Sequence, residues 1–560
     1  MIFKVSVKLF FPSVFHLNTD MLSAVMSDFW GQMSGVASAL AGLDMTMAGD
    51  QTLDSGDTFW GSNLTQAVIN GTIPQWRLDD MVTRIMTAYY KVGRDVTSVP
   101  VNFDSWSLNT TGLMYAKDPS SEIVTINEHV NVQADHADLI RQIGGASTVL
   151  LKNVNNALPL NKPKKIAVIG NDAHDNPAGP NACSDRGCSN VPNGYPIWTL
   201  AMGWGSGTAN FPYLISPITA LSAQAAADGT KLKNVSDNFD TKAIAKAATG
   251  ASAAIVFVNA DSGEGYIDVG TNFGDRNNLT AWGNGDAMVA LVAQNNPNTI
   301  VVMHTVGPII VEDYKNNPNI TAILWAGLPG QESGNSITDV LYGKVNPQAK
   351  SVFTWGKNRT DWGTDVIYDT DQDPLQIPFT EGNFIDYRHF DSAAIEPSYE
   401  FGFGLSYTTF SYSDLLITKE KAKKYTPNKG TTTSAPTYGT IDANAADNEF
   451  PPDISPVPFY IYPYLTGPVL TNQPEDVPPD SQSSAPQKFA PAGGAPGGNP
   501  GLYDVLYTIT ASITNTGSIT GTEIPQLVRS SHSFPNLLLP MMKQLTLSSL
   551  CLVCELGRSN

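Results

Sequence analysis

The sequence predicts an α/β protein built on a mostly parallel sheet, with a shorter β-then-α segment before it and a smaller β-rich unit after it. Three observations predict this. Apolar, β-branched runs (STVLLKN, KKIAVIG, AAIVFVNA, NTIVVMHTVG and ITAILWAG) alternate with helical stretches between about 128 and 350, as strands covered on both faces by crossover helices do. Residues 77–92 put Leu78, Met81, Val82, Ile85, Met86 and Tyr89 at helical spacing and stop at Gly93. Residues 502–528 alternate and carry a Thr-Gly turn, in the manner of an immunoglobulin-like sandwich.

In chain order, 24–26 reads as a short strand, and 36–43 and 64–70 as helices. After the helix over 77–92, a Pro-, Ser- and Asn-rich linker runs to about 125. A helix over 136–145 feeds STVLLKN, KKIAVIGNDA is a strand ending in a Gly turn, and 333–341 is helical. Residues 395–413 are aromatic and β-like. Residues 420–500 are a long linker or insertion, rich in Pro, Gly, Ser, Thr and Asn. Past Val528 the alternation stops, and one or two strands do not close a sandwich.

At 560 residues the chain has room for two to four domains. A net charge of −19 and a pI near 4.7 repel phosphate backbones, which argues against nucleic acid as a partner. No apolar run reaches the roughly 18 residues that read as a membrane span. The first twenty residues are partly apolar, but Lys8 and Pro12 break them, so they make a poor signal peptide. Seven N-x-S/T sequons, at Asn63, Asn70, Asn109, Asn234, Asn278, Asn319 and Asn358, lean towards secretion. Of four cysteines, Cys183 and Cys188 enclose a four-residue loop and read as a local disulfide or half of a zinc site. Cys551 and Cys554 form a CxxC in the tail.

The chemistry concentrates at strand ends. The run AAIVFVNADSGEGY ends in Glu264 between Gly263 and Gly265, which lets a ligand approach the carboxylate closely. Asp28, 236 residues upstream, is a second strand-end acid. Two such acids in different domains suggest a glycosidase with its site between domains. The plain alternatives are a helix N-cap for Asp28 and a solvated loop acid for Glu264. Trp30 reads equally as a sugar-stacking face or as core. Ser206 sits in GWGSGT, a Gly-rich turn without the Lys-Ser/Thr ending of a phosphate loop. AVIGNDA has one Gly of a dinucleotide fingerprint. His304 reads as a satisfied buried histidine, and Asp261 and Asp275 as loop-shaping.

NADSGEGYI, GDRNNLT, AILWAGLPGQESGNS, DVLYGKVNP, NFIDYRHFD and YEFGFGLSYTTF, with NLTQAVINGTIP, ACSDRGC and LAMGWGSGTANFPY, occur in one order along the chain. Together they resemble the fungal β-glucosidases of glycoside hydrolase family three, over about 24–415 and again over about 490–528. The resemblance implies a C-terminal remnant of a (β/α)8 barrel over 1–100, a linker over 101–127 and an α/β sandwich domain over 128–415. It further implies a low-complexity linker or insertion over 416–500 and an incomplete fibronectin-III-like domain with an aberrant tail over 501–560. It implies Asp28 as nucleophile, Glu264 as acid/base, Ser206 as a substrate contact and a Cys183–Cys188 disulfide; Trp30 is a candidate substrate contact beside Asp28. It implies a β-glucoside as the partner molecule, admits a homodimer, places the protein outside the cell, and calls for no metal or organic cofactor.

Three departures qualify that expectation. Only 27 residues precede Asp28, whereas such a barrel takes about 250, so the upstream groups that grip the sugar in relatives have no counterpart. The family follows its nucleophile directly with Trp, while this chain has Phe29 and then Trp30. An extra VPNGYPIW fills 191–198, and the last domain loses its pattern after Val528. These read as exon-boundary errors in a gene model, or as a decayed gene. The expected function is retaining hydrolysis of terminal β-D-glucosyl residues in cellulose or polysaccharide breakdown. The alternatives are a catalytically inactive fragment, or a β-xylosidase or exo-β-glucanase of the same fold.

Overall fold

The computed structural model describes residues 24–47, 49, 58–69, 71–97, 104, 107–114, 119–182, 198–203, 205, 208–263, 268–269, 272–273, 276–367, 377–419 and 507–526. The first unit opens with strand β1 (Met26–Phe29), followed by helix α1 (Val36–Ala41), strand β2 (Met45–Met47) and helices α2 (Ser62–Ile69) and α3 (Gln75–Lys91). The two strands pair in parallel. Ala39, Leu40, Leu43, Trp60, Ala67, Ile73 and Met81 form its core. The strand lies two residues beyond the stretch read from sequence, so Asp28 falls inside it. The apolar face expected of α3 is only partly inward: Met81 is buried, while Val82 and Tyr89 are exposed. Its most buried polar positions are Arg77 and Arg84. The helix turns this way because the Arg77 guanidinium donates to Ala39 O and Leu43 O at 2.8 Å, binding α3 to the end of α1.

The stretch read as a linker contains a small antiparallel pair, β3 (Thr111–Leu113) with β4 (Ile123–Thr125). Helix α4 (His136–Ser147) then leads into the main sheet through β5 (Val149–Asn153) and β6 (Lys165–Ile169). Helix α5 (Pro217–Asp228) begins where Ser216 Oγ accepts from Thr219 N and Pro217 takes the first turn; it ends at Gly229, at φ 72°. Strand β7 (Lys231–Val235), helix α6 (Thr241–Ala248, capped by Asp240) and strand β8 (Ala253–Ala260) follow. The short strands β9 (Asp268–Val269) and β10 (Asn272–Phe273) pair with each other. Next come α7 (Gly285–Asn295), β11 (Thr299–Thr305), α8 (Glu312–Asn316), β12 (Ile320–Trp325), α9 (Ser333–Leu341) and α10 (Tyr387–Ala393).

The six-stranded sheet runs β5-β12-β11-β8-β6-β7. All neighbours are parallel except the edge strand β5, which pairs antiparallel with β12. One face packs on α6, α7 and α8 through Ile244, Met288, Val292 and Tyr314. The other packs on α5 and α9 through Leu221, Ala225, Ile337 and Leu341. This explains why the central strands read as unbroken apolar runs: every residue of β8 and β11 is buried. A bidentate Arg141–Asp339 pair, at 2.6 and 2.9 Å, ties α4 to α9.

Strand β13 (Phe410–Lys419) pairs antiparallel with β14 (Tyr507–Asn515). The former crosses the boundary read at 415/416, because its pairing with β14 carries regular structure past the end of the aromatic motif. Most positions along it are exposed.

Candidate active site

The C-terminal ends of β6, β8 and β11 converge, as parallel strands of an open α/β sheet do where ligands bind. The turn after β6 requires glycine. Gly170 has φ +115°, and a Cβ there would lie 2.2 Å from Phe257 O. That close approach brings Asp172 against the sheet. Its Oδ1 accepts from Leu200 N at 2.9 Å and Asn259 Nδ2 at 3.3 Å, and its Oδ2 lies 2.7 Å from His304 Nδ1. His304 Nε2 in turn faces Ser333 Oγ at 3.4 Å, at the start of α9. Asp172, His304 and Ser333 are entirely buried, so this Ser-His-Asp alignment is sealed from solvent.

Strand β8 ends at Ala260, and Asp261 follows fully buried. Asp261 Oδ1 accepts from Ser262 N at 2.8 Å, while Oδ2 has no partner among the described residues. Burial pushes this carboxyl up to about 7, against the opposing pull of Ser262 N and the Arg276 guanidinium. Arg276 N donates to Ser262 Oγ at 3.2 Å, and its Nη1 to Pro308 O at 2.9 Å, so the start of the loop after β8 is braced from β11. Asp261 thus bonds to the first residues of the loop after β8 through Ser262 N.

Glu264, three residues on, lies outside the described residues, as do Asp275, Ser206, Cys183, Cys188, Cys551 and Cys554. The flanks of Ser206 are described and pinned. Gly330 N donates to Ala201 O at 2.8 Å, Phe211 exchanges two bonds with the Asn181 side chain, and Tyr213 OH donates to Glu332 Oε1 at 2.6 Å.

Asp28 lies in the first unit with an exposed carboxylate that accepts from Phe29 N at 2.7 Å. It caps no helix; Gly31 N returns to Asp28 O at 2.9 Å in a tight turn. Trp30 occupies that turn at φ 53°, donates its backbone N–H to Met47 O at 3.0 Å, and rests its ring 5.0 Å from Phe29. It is half-buried, and its Nε1 is without a partner among the described residues. The described residues therefore gather Asp172, Asn259, Asp261 and His304 at one end of the sheet, while Asp28 and Trp30 belong to the other unit. Sequence reading missed the roles of Asp172 and Asn259. The only trace was a polar residue just before or just after the end of an apolar strand.

Among the described residues, no group of three or more His, Cys, Asp or Glu is placed to hold a metal, and no helix is long and apolar enough to cross a membrane.

Residues 148–407 match the glycosyl hydrolase family 3 C-terminal domain. The chain is 51% identical over 516 residues to a probable β-glucosidase A of Aspergillus clavatus, covering 90% of this chain and 58% of that protein. It is 48% identical to the β-glucosidase A of Aspergillus kawachii, covering 93% of this chain and 62% of that protein. Among solved structures, it superposes on the Chaetomium thermophilum β-glucosidase with a TM-score of 0.75 at 51% identity, covering 90% of this chain and 62% of that one. A Neurospora crassa family 3 β-glucosidase gives 0.74 at 50% identity, over 89% of this chain and 60% of that one. The chain thus spans about three fifths of the length of the relatives it matches. The matched span covers the whole six-stranded sheet and both of its helical layers, and over it the chain is similar to the C-terminal domain of glycosyl hydrolase family 3.

Proposed function

We propose that the chain carries the chemistry of a retaining β-glucosidase acting on terminal β-D-glucosyl residues of cellobiose and of aryl or alkyl β-glucosides. The observation that carries this reading is its identity of about one half, over 90% of its length, to proteins bearing that name. In this reading Asp28 attacks the anomeric carbon and Glu264 protonates the leaving oxygen. Glu264 then acts as base on the water that frees the sugar. Ser206 and Trp30 contact the glycone, and two carboxylates suffice without a metal or organic cofactor.

The finer domain assignments belong to the same reading. The parallel β1–β2 pair with its helices supports a barrel origin for the first unit. The antiparallel β13–β14 pair supports a fibronectin-III-like third unit, which begins near 410 rather than at 501. The sequons support passage through a secretory route, and the acidic balance supports a neutral sugar, rather than nucleic acid, as partner. The homodimer is tested by light scattering.

One observation favours the second reading, a non-catalytic member: Met26 and Phe29, flanking Asp28, are more than half exposed. Hydrolysis of a chromogenic aryl β-glucoside by the chain, beside Glu264→Gln and Asp28→Asn, separates the two. Turnover lost in both variants supports the β-glucosidase. A folded wild-type chain without turnover, or with turnover unchanged in the variants, overturns it.

A further inference from the structure

We propose that Asp172, held by His304, is the positioning residue that couples the loop leading to Ser206 with the strand leading to Glu264. This rests on the reading of those two residues as parts of a sugar-hydrolysing site. Asp172 bonds to three separate segments of chain. It takes Leu200 N from the loop, Asn259 Nδ2 from β8 and His304 Nδ1 from β11. Leu200 lies six residues before Ser206, and Asn259 five before Glu264.

The clamp is specific because a carboxylate only accepts and all three groups facing it donate. Asn259 and His304 are also register partners across β8 and β11, so the two side chains reach Asp172 from neighbouring strands. Asn259 is closed further by Trp282 N donating to its carbonyl at 2.9 Å. On its far side, His304 Nε2 meets Ser333 Oγ, which fixes the imidazole plane. In this dry setting each bond is strong and each unpaired donor costly. A displacement of Asp172 therefore moves the loop and the strand together.

The test uses the full chain with Asp172→Asn, His304→Leu and His304→Gln. Asparagine keeps the size but offers one oxygen and an NH2 to three donors. Leucine leaves Asp172 Oδ2 without a donor, and glutamine restores one. By amide hydrogen exchange, Asp172→Asn and His304→Leu should speed exchange over 198–203 and 255–260 about tenfold, while 337–341 on α9 stays within about threefold of wild type. His304→Gln should remain near wild type. With an aryl β-glucoside, the two disruptive variants should raise KM about tenfold with kcat changed less, whereas loss of folded enzyme would lower kcat at constant KM.

Unchanged exchange over 198–203 and 255–260 in both disruptive variants overturns the proposal, as does a lowered kcat at wild-type KM. If Asp172→Asn does not fold, His304→Leu and His304→Gln decide the matter between them. If the wild-type chain shows no turnover that Glu264→Gln removes, the β-glucosidase reading falls and the functional half of this proposal with it. The exchange result then still upholds or overturns the clamp.

Discussion

Arg77 and Asp44 form an ion pair of 2.8 Å in which Arg77 is 4% and Asp44 0% exposed. Thirty-three residues apart, they join α3 to the turn after α1. Asp44 Oδ2 also accepts from Val25 N at 2.8 Å, so one carboxylate holds the chain entering β1 as well as the third helix. Arg77 also donates to Asp80 at 2.9 Å, so the pair sits in a largely buried network that joins α3 to both ends of the turn.

Removing Arg77 takes away the donors to Asp44, Asp80, Ala39 O and Leu43 O at once. Arg77→Ala should destabilise the unit spanning 24–91 by about 3–5 kcal/mol, the usual cost of breaking a buried ion pair by removing one partner. Limited proteolysis followed by mass spectrometry should show cleavage within 24–91 at protease levels that spare the wild type. Fragments from the six-stranded sheet should persist.

Gly170 is the second sensitive point. Gly170→Ala places a methyl group 2.2 Å from Phe257 O at φ +115°. The strain should cost at least about 2 kcal/mol, read as a lower urea midpoint at unchanged slope. Gly229→Ala, at φ 72° with nothing within 4 Å, should cost less.

The buried Asp261 makes stability depend on pH in a defined direction. Its carboxyl is raised from 3.8 to about 7 in the fold. Below pH 4 both folded and unfolded chains hold the proton, and the contribution to stability is complete. Between pH 4 and 7 the unfolded chain ionises first, so stability falls as pH rises, by up to about 4 kcal/mol across the window. Urea unfolding at pH 4, 6 and 8 should show that Asp261→Asn loses this component of the fall. Equal pH slopes for the two proteins would contradict the assignment.

The sequons differ in access. Asn234 is exposed on β7, the last strand of the sheet. Asn319 is half-buried, and its Nδ2 donates to Ala293 O at 2.8 Å. Expression through a fungal secretory route should place a glycosidase-sensitive glycan on Asn234 and none on Asn319, as peptide mapping would show.

Much of the central fold is legible along the chain. Helix α9 spans the residues read for it, and the runs around Ile255, Val301 and Ile323 are the central strands, because residues buried on both faces must all be apolar. Helix α3 was legible as a helix, but its orientation was not. Periodicity favours the face with Val82 and Tyr89, and the Arg77 bonds to Ala39 and Leu43 turn it away. The pair β3–β4 escaped notice because three-residue strands in polar text have no measurable period.

What the sequence alone determined is the resemblance to family three, the mostly parallel sheet implied by alternating strands and helices, and the acids Asp28 and Glu264 as candidates. These are local patterns, set by side-chain type and spacing within about fifteen residues. What only the tertiary structure decided is that Asp172, Leu200, Asn259 and His304 meet, that Asp261 is sealed from water, and that Asp28 bonds within its own turn. Asp172 and His304 are 132 residues apart. Their contact exists because two strands that are not consecutive in the chain end at the same level of one sheet, and no local rule encodes that distance.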